Sequence, residues 1–335
     1  LTSLVMTVTE TLRYRGALGQ WSWILHRVTG LGVVFFLVLH VIDTSWAVFY
    51  PELYVEAIAT YQSPLFTIGE FALVAAVVYH AINGLRITFF DFRPNLWRYQ
   101  QRAAIAVLII TVIICIPAFI LMLGHVIDHY STNPQVLPLG RVIGAQLPFL
   151  IGIAVAVVAA IFYSVIHGVI AGDTTSKKQK PTGSRIERFW WSYMRISGVL
   201  IVPLVFGHLG MMHILQGVFD ITAQNSVVVG TTTINQSGTA VEFVANRWNM
   251  FIGGVAIWRL YDFALLTLVV VHGFNGLRYV LTDYTMGSPL LRRAAIYFCV
   301  MGAIVLLVLG SGMLVATIDA DAIEMARQAT ENLHP

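Results

Sequence analysis

His80-Ala81-Ile82-Asn83-Gly84-Leu85-Arg86 and His272-Gly273-Phe274-Asn275-Gly276-Leu277-Arg278 share five of seven residues, and an aspartate (Asp91, Asp283) follows each histidine by eleven positions. Both stretches lie in apolar surroundings, where an imidazole or a guanidinium is costly unless it has a task or a partner. Upstream, His26-Arg27-Val28-Thr29-Gly30 with His40 ten residues past its glycine parallels Met194-Arg195-Ile196-Ser197-Gly198 with His208 at the same distance. The chain therefore reads as two related halves. The offset between matched histidines grows from 168 residues (His40/His208) to 192 (His80/His272). The second half thus holds 24 more residues, which the polar, Thr- and Asn-rich stretch near 220–247 accommodates as a loop.

Composition fixes the setting. A chain of 335 residues that is 57% hydrophobic and only 11% charged cannot hide its apolar surface in one water-soluble core. Runs of about 20 apolar residues, enough to span roughly 30 Å of hydrocarbon, fall near 28–48, 67–90, 103–125, 142–170, 197–217, 260–280 and 294–317. The fold class is an all-α membrane protein with seven transmembrane helices. Sixteen of the twenty Lys and Arg residues fall on one side of these runs, among them Arg13, Arg15, Arg27, Arg86, Lys177, Arg195 and Arg278. The positive-inside rule then places the N-terminus in the cytoplasm and the acidic tail, with Asp319, Asp321 and Glu324, outside. The net charge of +3 reports this topology and not nucleic-acid binding. The first helix is expected to act as both targeting signal and anchor. Cys115 and Cys299 stand alone in apolar runs, and the sequence has no C-x-x-C-H and no cysteine cluster for an iron–sulfur centre.

Three helices per half leave the run at 142–170 over. A half that starts inside ends outside after three crossings, so a fusion keeping both halves in one orientation needs a return helix. The expected organisation is a first half over 1–128, a connector helix with a cytoplasmic linker over 129–188, and a second half over 189–335. The alternative is that the fourth helix is an integral member of one bundle.

Four matched histidines, one per helix, define two depths. His40 and His208 each lie thirteen residues beyond Arg27 and Arg195, about 19 Å deeper, in the outer half of the bilayer. His80 and His272 each precede Arg86 and Arg278 by six residues, about 9 Å, in the inner half. Two pairs at two depths suit two b haems, each iron taking one neutral imidazole from each half, since single histidines on bundle helices are how such sites are built. Gly84 and Gly276 are expected to leave room for a macrocycle, with Asn83 and Asn275 on the same face. Haem propionates need donors in lipid, and His26, Arg27, Arg86, Arg195 and Arg278 lie where they could serve. The bland reading of any one of these is a hydrogen-bonded core histidine or a membrane-edge arginine. His125, His129, His167, His213 and His334 lack the symmetry and read as edge or packing residues.

Trp21-Ser22-Trp23-Ile24-Leu25-His26-Arg27-Val28-Thr29-Gly30 resembles the S-x-x-x-H-R-x-T/S-G entry of the cytochrome b large anchor subunit of succinate dehydrogenase, and His80, Gly84, Arg86 and Asp91 resemble its second helix. His272, Gly276, Arg278 and Asp283-Tyr284 resemble the small anchor's haem-ligand helix and the Asp-Tyr after it. The likeness covers both halves, so the chain looks like the two anchors fused, of the two-haem kind. The resemblance implies a membrane-anchor subunit of succinate:quinone oxidoreductase in the cytoplasmic (inner) membrane, with two b haems and a quinone, menaquinone by expectation. Its partners would be a flavoprotein subunit and an iron–sulfur subunit on the cytoplasmic side. Succinate oxidation would belong to those partners, and the whole complex could oligomerise. Carried over by position, Ser22, Arg27, Asp283 and Tyr284 would line the quinone site. The second half departs from the pattern with Trp190 and Met194 where the first has Ser22 and His26, which implies one main quinone pocket. Rival readings are the cytochrome b subunit of another membrane dehydrogenase, or a non-haem repeat transporter, whose repeats are commonly inverted.

Overall fold

A computed structural model describes residues 16–132, 136–171, 184–228 and 233–333. Seven helical stretches among them are long and apolar enough to cross a bilayer. They are α1 (Leu18–Phe49), α3 (Pro64–Phe92), α4 (Gln100–Thr132, entered through a 3-10 turn at Pro94–Tyr99), α6 (Leu147–Ala171, with the short α5, Leu139–Gly144, before it), α7 (Arg185–Leu209), α9 (Ile257–Tyr284) and α10 (Pro289–Val315). α1, α3, α4 and α9 extend beyond their apolar runs at both ends, because polar and aromatic flanks continue the helix, whereas α6, α7 and α10 each stop short of theirs at one end. The chain is an all-α, multi-pass membrane protein.

Local chemistry sets the helix starts. Pro64 and Pro289 open α3 and α10 at the first turn, where a missing N–H leaves no bond unmade. Ser184 caps α7 by accepting from the Glu187 N–H at 3.1 Å, the Ser-x-x-Glu pattern of a capping box. Thr239 caps α8 (Ala240–Trp248) in the same way from Glu242, at 3.2 Å.

The first two spans of each half make the centre. α1 packs on α3 and α7 on α9, and the halves interlock because α1 also meets α9 while α3 meets α7. α4 lies against α3, and α10 against α9 and α1. Gly302 and Gly310 on α10 face Phe274 and Leu266 of α9, the small-residue approach by which membrane helices close up without a hydrophobic drive between them. The fourth span is peripheral. α6 packs along α10, tied by Ser164 donating to the Leu290 carbonyl at 2.7 Å and by His167 to the Tyr297 hydroxyl at 2.7 Å, while its other faces point outward.

At the end away from Arg27 and Arg195, three amphipathic helices form a cap: α2 (Pro51–Tyr61), α8 and α11 (Ala320–Leu333). Tyr54, Val55, Ile58, Val241, Phe243, Trp248, Ala322 and Ala326 are buried in it. The stretch near 220–247 is thus more than a loop. Its described part holds a two-residue hairpin (Ser226–Val227 with Ile234–Asn235) and α8, with Asn235 fully buried and donating to the Ile221 and Thr239 carbonyls at 3.0 and 3.1 Å. Arg13 and Arg15, the linker cations Lys177, Lys178 and Lys180, and His334 lie outside the described residues.

Candidate functional site

The four matched histidines project into the centre from α1, α3, α7 and α9. His40 and His208 come from opposite halves and meet edge-on, with ring centroids 6.0 Å apart. Beside them, α7 widens into a π-helical stretch at Gly210–Leu215, an irregularity that helices often carry at functional places. At the other level His26 stacks flat on His80, with centroids 4.0 Å apart and rings 7° from parallel, and His272 is carried on α9, which packs on α1.

Each inner histidine is seated by the Thr/Ser-Gly dipeptide of its own half. A Cβ added at Gly30 would stand 2.8 Å from His80 Cε1, and one at Gly198 would stand 3.4 Å from His272 Cε1. The preceding hydroxyls reach the same rings. Ser197 Oγ lies 2.9 Å from His272 Nδ1, and Thr29 Oγ1 lies 3.5 Å from His80 Nδ1, which also sits 3.0 Å from the His26 carbonyl. Sequence reading gave Gly84 and Gly276 the role of making room. Their nearest neighbours are His26 Cε1 at 3.6 Å and Met194 Cε at 3.7 Å, which are equivalent positions of the two entry helices. The close approach to a histidine ring is at Gly30, with Gly198 in ordinary contact with His272; the space expected for a macrocycle at Gly84 and Gly276 is a separate matter.

The basic ends of the halves are stitched crosswise. Arg27 of the first half pairs with Asp283 of the second, and Arg195 of the second pairs with Asp91 of the first through Nε at 3.0 Å and Nη2 at 2.7 Å. Each arginine lies over the tryptophan four residues earlier, Arg27 over Trp23 at 3.9 Å and Arg195 over Trp191 at 4.4 Å. This reciprocal pairing makes the two halves equivalent in space as well as in sequence. Of the four residues assigned to a quinone site, Arg27 and Asp283 are in contact. Ser22 is buried, donating to Asn83 Oδ1 at 3.0 Å with its hydroxyl 3.1 Å from that of Tyr79, while Tyr284 is 77% exposed.

Among the described residues, many of the buried polar atoms without a protein partner belong to side chains at these two levels, besides Asp43 Oδ1, Ser63 Oγ, Gln216 Oε1 and Asn235 Oδ1. At the inner level they are His26 Nδ1, Arg86 Nε and Nη1, Arg278 Nη2, and the amide nitrogens of Asn83 and Asn275. At the outer level they are His208 Nδ1, Arg247 Nη1 and Trp258 Nε1. Most of these groups can only donate, so each level is prepared for acceptors that the protein does not itself supply. Arg247 escaped sequence reading because it lies on the side poor in cations. It is 4% exposed on α8, stacks over Trp258 at 4.2 Å and pairs with Asp262 at 3.5 Å. Its isolation among outer-side cations, next to a tryptophan, is the signal that could have found it. The unmatched histidines each have local company: His213 with Glu70 at 2.5 Å, His125 with Asp220 at 3.3 Å, and His129 stacked on Phe219 at 4.0 Å.

Comparison with known proteins gives the family. The chain is 36% identical over 117 residues to the succinate dehydrogenase 2 membrane subunit SdhC of Mycobacterium tuberculosis, covering 35% of this chain and 86% of that one. It is 28% identical over 106 residues to the succinate dehydrogenase hydrophobic membrane anchor subunit of Halobacterium salinarum, covering 30% of this chain and 81% of that one. No solved structure matches significantly. The family model of the succinate dehydrogenase/fumarate reductase transmembrane subunit matches residues 7–116 and again 171–311, which takes in the matched histidines of both halves and passes over α6. The chain therefore belongs to the succinate dehydrogenase/fumarate reductase transmembrane subunit family.

Proposed function

We propose that the chain is a membrane-anchor cytochrome b subunit of succinate:quinone oxidoreductase, two anchors fused through α6, holding two b haems and a quinone site. The observation that carries the reading is the meeting of His40 and His208 from opposite halves, 6.0 Å between ring centroids, with a second level that holds His80, stacked on His26, and His272 against Ser197. Haem b would supply one-electron transfer. His80 and His272 would hold the inner iron, and His40 and His208 the outer one. The donors left over fit the acid groups of such a cofactor. His26, Arg86 and Arg278 would serve at the inner level, with Arg195 beside them, and Arg247 and Trp258 at the outer level.

The quinone would lie near the basic end, which the distribution of cations assigns to the cytoplasm. Arg27 and Asp283 would frame it as a fixed pair, and the Tyr284 hydroxyl would donate to a quinone oxygen. Ser22 could join only by releasing Asn83. Tyr284 and the cations around it also form the surface on which a flavoprotein subunit and an iron–sulfur subunit would dock, so partner binding would bury that tyrosine. An outer haem would let electrons move across the bilayer, worth about 2.3 kcal/mol per electron per 100 mV, a coupling that suits menaquinone. The organisation follows as a first half over 1–128, a connector over 129–188 and a second half over 189–335, with α6 as the return crossing at the periphery.

The test is haem and iron per purified chain, read with dithionite-reduced spectra. Two haems per chain are expected, and a colourless protein refutes the reading. In the assembled complex Tyr284→Phe is expected to slow quinone reduction while succinate oxidation by an artificial dye acceptor survives. Equal loss of both rejects the quinone site.

A further inference from the structure

We propose that Ser197 is the positioning residue that fixes the orientation and tautomer of His272, an inference that rests on His272 being an iron ligand. The argument is a count of protons. Ser197 Oγ lies 2.6 Å from the Tyr193 carbonyl, four residues back on α7, and a carbonyl only accepts. The single hydroxyl proton is therefore committed to Tyr193. The same oxygen lies 2.9 Å from His272 Nδ1, so the proton in that contact comes from the imidazole. His272 is held as the Nδ1–H tautomer, and Nε2 keeps its lone pair for a metal.

The first half reaches the same state by another route. His80 Nδ1 lies 3.0 Å from the His26 carbonyl and so also carries the proton, while the Thr29 hydroxyl donates to the Leu25 carbonyl at 2.7 Å and stands 3.5 Å from the ring. One inner imidazole thus leans on backbone, which no substitution removes, and the other on a hydroxyl, which one substitution deletes. An acceptor on Nδ1–H raises the basicity of the ligating nitrogen and favours the oxidised metal. The Ser197 contact therefore lowers the reduction potential of the inner centre and leaves the outer one untouched. The Thr/Ser-Gly dipeptide gains a role beyond sequence alignment: the hydroxyl turns the ring, and the glycine gives it space.

The experiment is a redox titration of the whole complex with Ser197→Ala and Ser197→Thr, read from the reduced haem spectra at each potential. In Ser197→Ala the inner wave is expected to shift to higher potential, or the inner haem to be lost, while the outer wave stays in place. Ser197→Thr keeps the hydroxyl and restores the wild-type inner wave. An Ala variant with both waves unmoved overturns the assignment to Ser197 and leaves the two-haem reading standing, as does a Thr variant displaced as far as Ala. A wild-type protein without haem removes the two-haem reading and, with it, the role of His272 as a ligand.

Discussion

Two glycines that are equivalent in sequence differ in what surrounds them, and the same substitution at each is expected to act with opposite sign. In Gly30→Ala the new Cβ stands 2.8 Å from His80 Cε1 and 3.2 Å from Nδ1. That ring cannot simply retreat, since His26 stacks on it at 4.0 Å and its Nδ1 bonds the His26 carbonyl at 3.0 Å. Forcing a methyl into such a place costs about 1–3 kcal/mol, against about 0.5–1 kcal/mol gained by replacing a helical glycine with alanine. In Gly198→Ala the Cβ meets His272 Cε1 at 3.4 Å, ordinary contact, so only the helix gain remains. The gain is common to both variants, and their difference isolates the overpacking, about 1–3 kcal/mol with Gly30→Ala the less stable. Equilibrium unfolding in mixed micelles, followed by tryptophan fluorescence, measures it. Equal stabilities, or a Gly198→Ala variant below Gly30→Ala, would refute the account of how the entry helices seat the histidines.

His208→Ala is expected to reduce haem from two per chain to one and to spare the inner spectrum, since His80 and His272 lie at the other level; retention of both haems rejects the outer pairing. Asp91→Asn is expected to cost about 1.5–3 kcal/mol, because Arg195 donates twice to a carboxylate that is 16% exposed. Asp283→Asn should cost under about 1 kcal/mol, its carboxylate being 49% exposed, and unfolding of the two variants side by side checks the order. In α11, Arg327 and Gln328 hold the Glu324 carboxylate down to about 2 from an ordinary value near 4.5. A depressed carboxylate contributes above the unfolded value and loses its contribution as pH falls toward 2. Protection of the amides across Ala320–Leu333, corrected for the intrinsic exchange rate at each pH, should therefore fall between pH 4.5 and 2, and a flat corrected profile there rejects the contribution.

The spans were legible because hydrocarbon thickness imposes a length and a composition that few other structures share. The four histidines were legible because two copies of one pattern cancel the background of ordinary core histidines. The cap was not. α8 buries Ala240, Val241, Phe243, Val244 and Ala245 in a nearly continuous run, with Thr and Asn on either side, and in sequence this reads as a polar loop with an apolar patch. Its burial depends on α2 and α11, about 185 residues before and 80 after it, and no local period announces such partners. The crosswise ion pairs were hidden for the same reason. Arg27 and Asp283 lie 256 residues apart, and each has a nearer candidate of opposite sign within its own half.

Those ion pairs also bear on why two anchors would be joined in one chain. Arg27–Asp283 and Arg195–Asp91 are each made between halves, so neither half alone satisfies its own entry arginine or its own aspartate. Left unpaired, the more buried Arg195–Asp91 charges are the costlier, while Arg27–Asp283 adds less at its more exposed position. A fusion of two anchors would therefore add no new central contact. It would fix the ratio of the halves at one to one and raise their effective concentration, which matters most where the buried groups are donors. Symmetry then breaks at one place. Equivalent positions against Gly84 and Gly276 hold His26, stacked on His80, and Met194, an apolar thioether. The centre built by the first half is polar on the side that the second keeps apolar, so an acceptor entering from the basic end finds Arg27, His26 and Asp283 on one flank only. Under the proposed function, one quinone site per pair of halves would follow from that difference, not from the repeat.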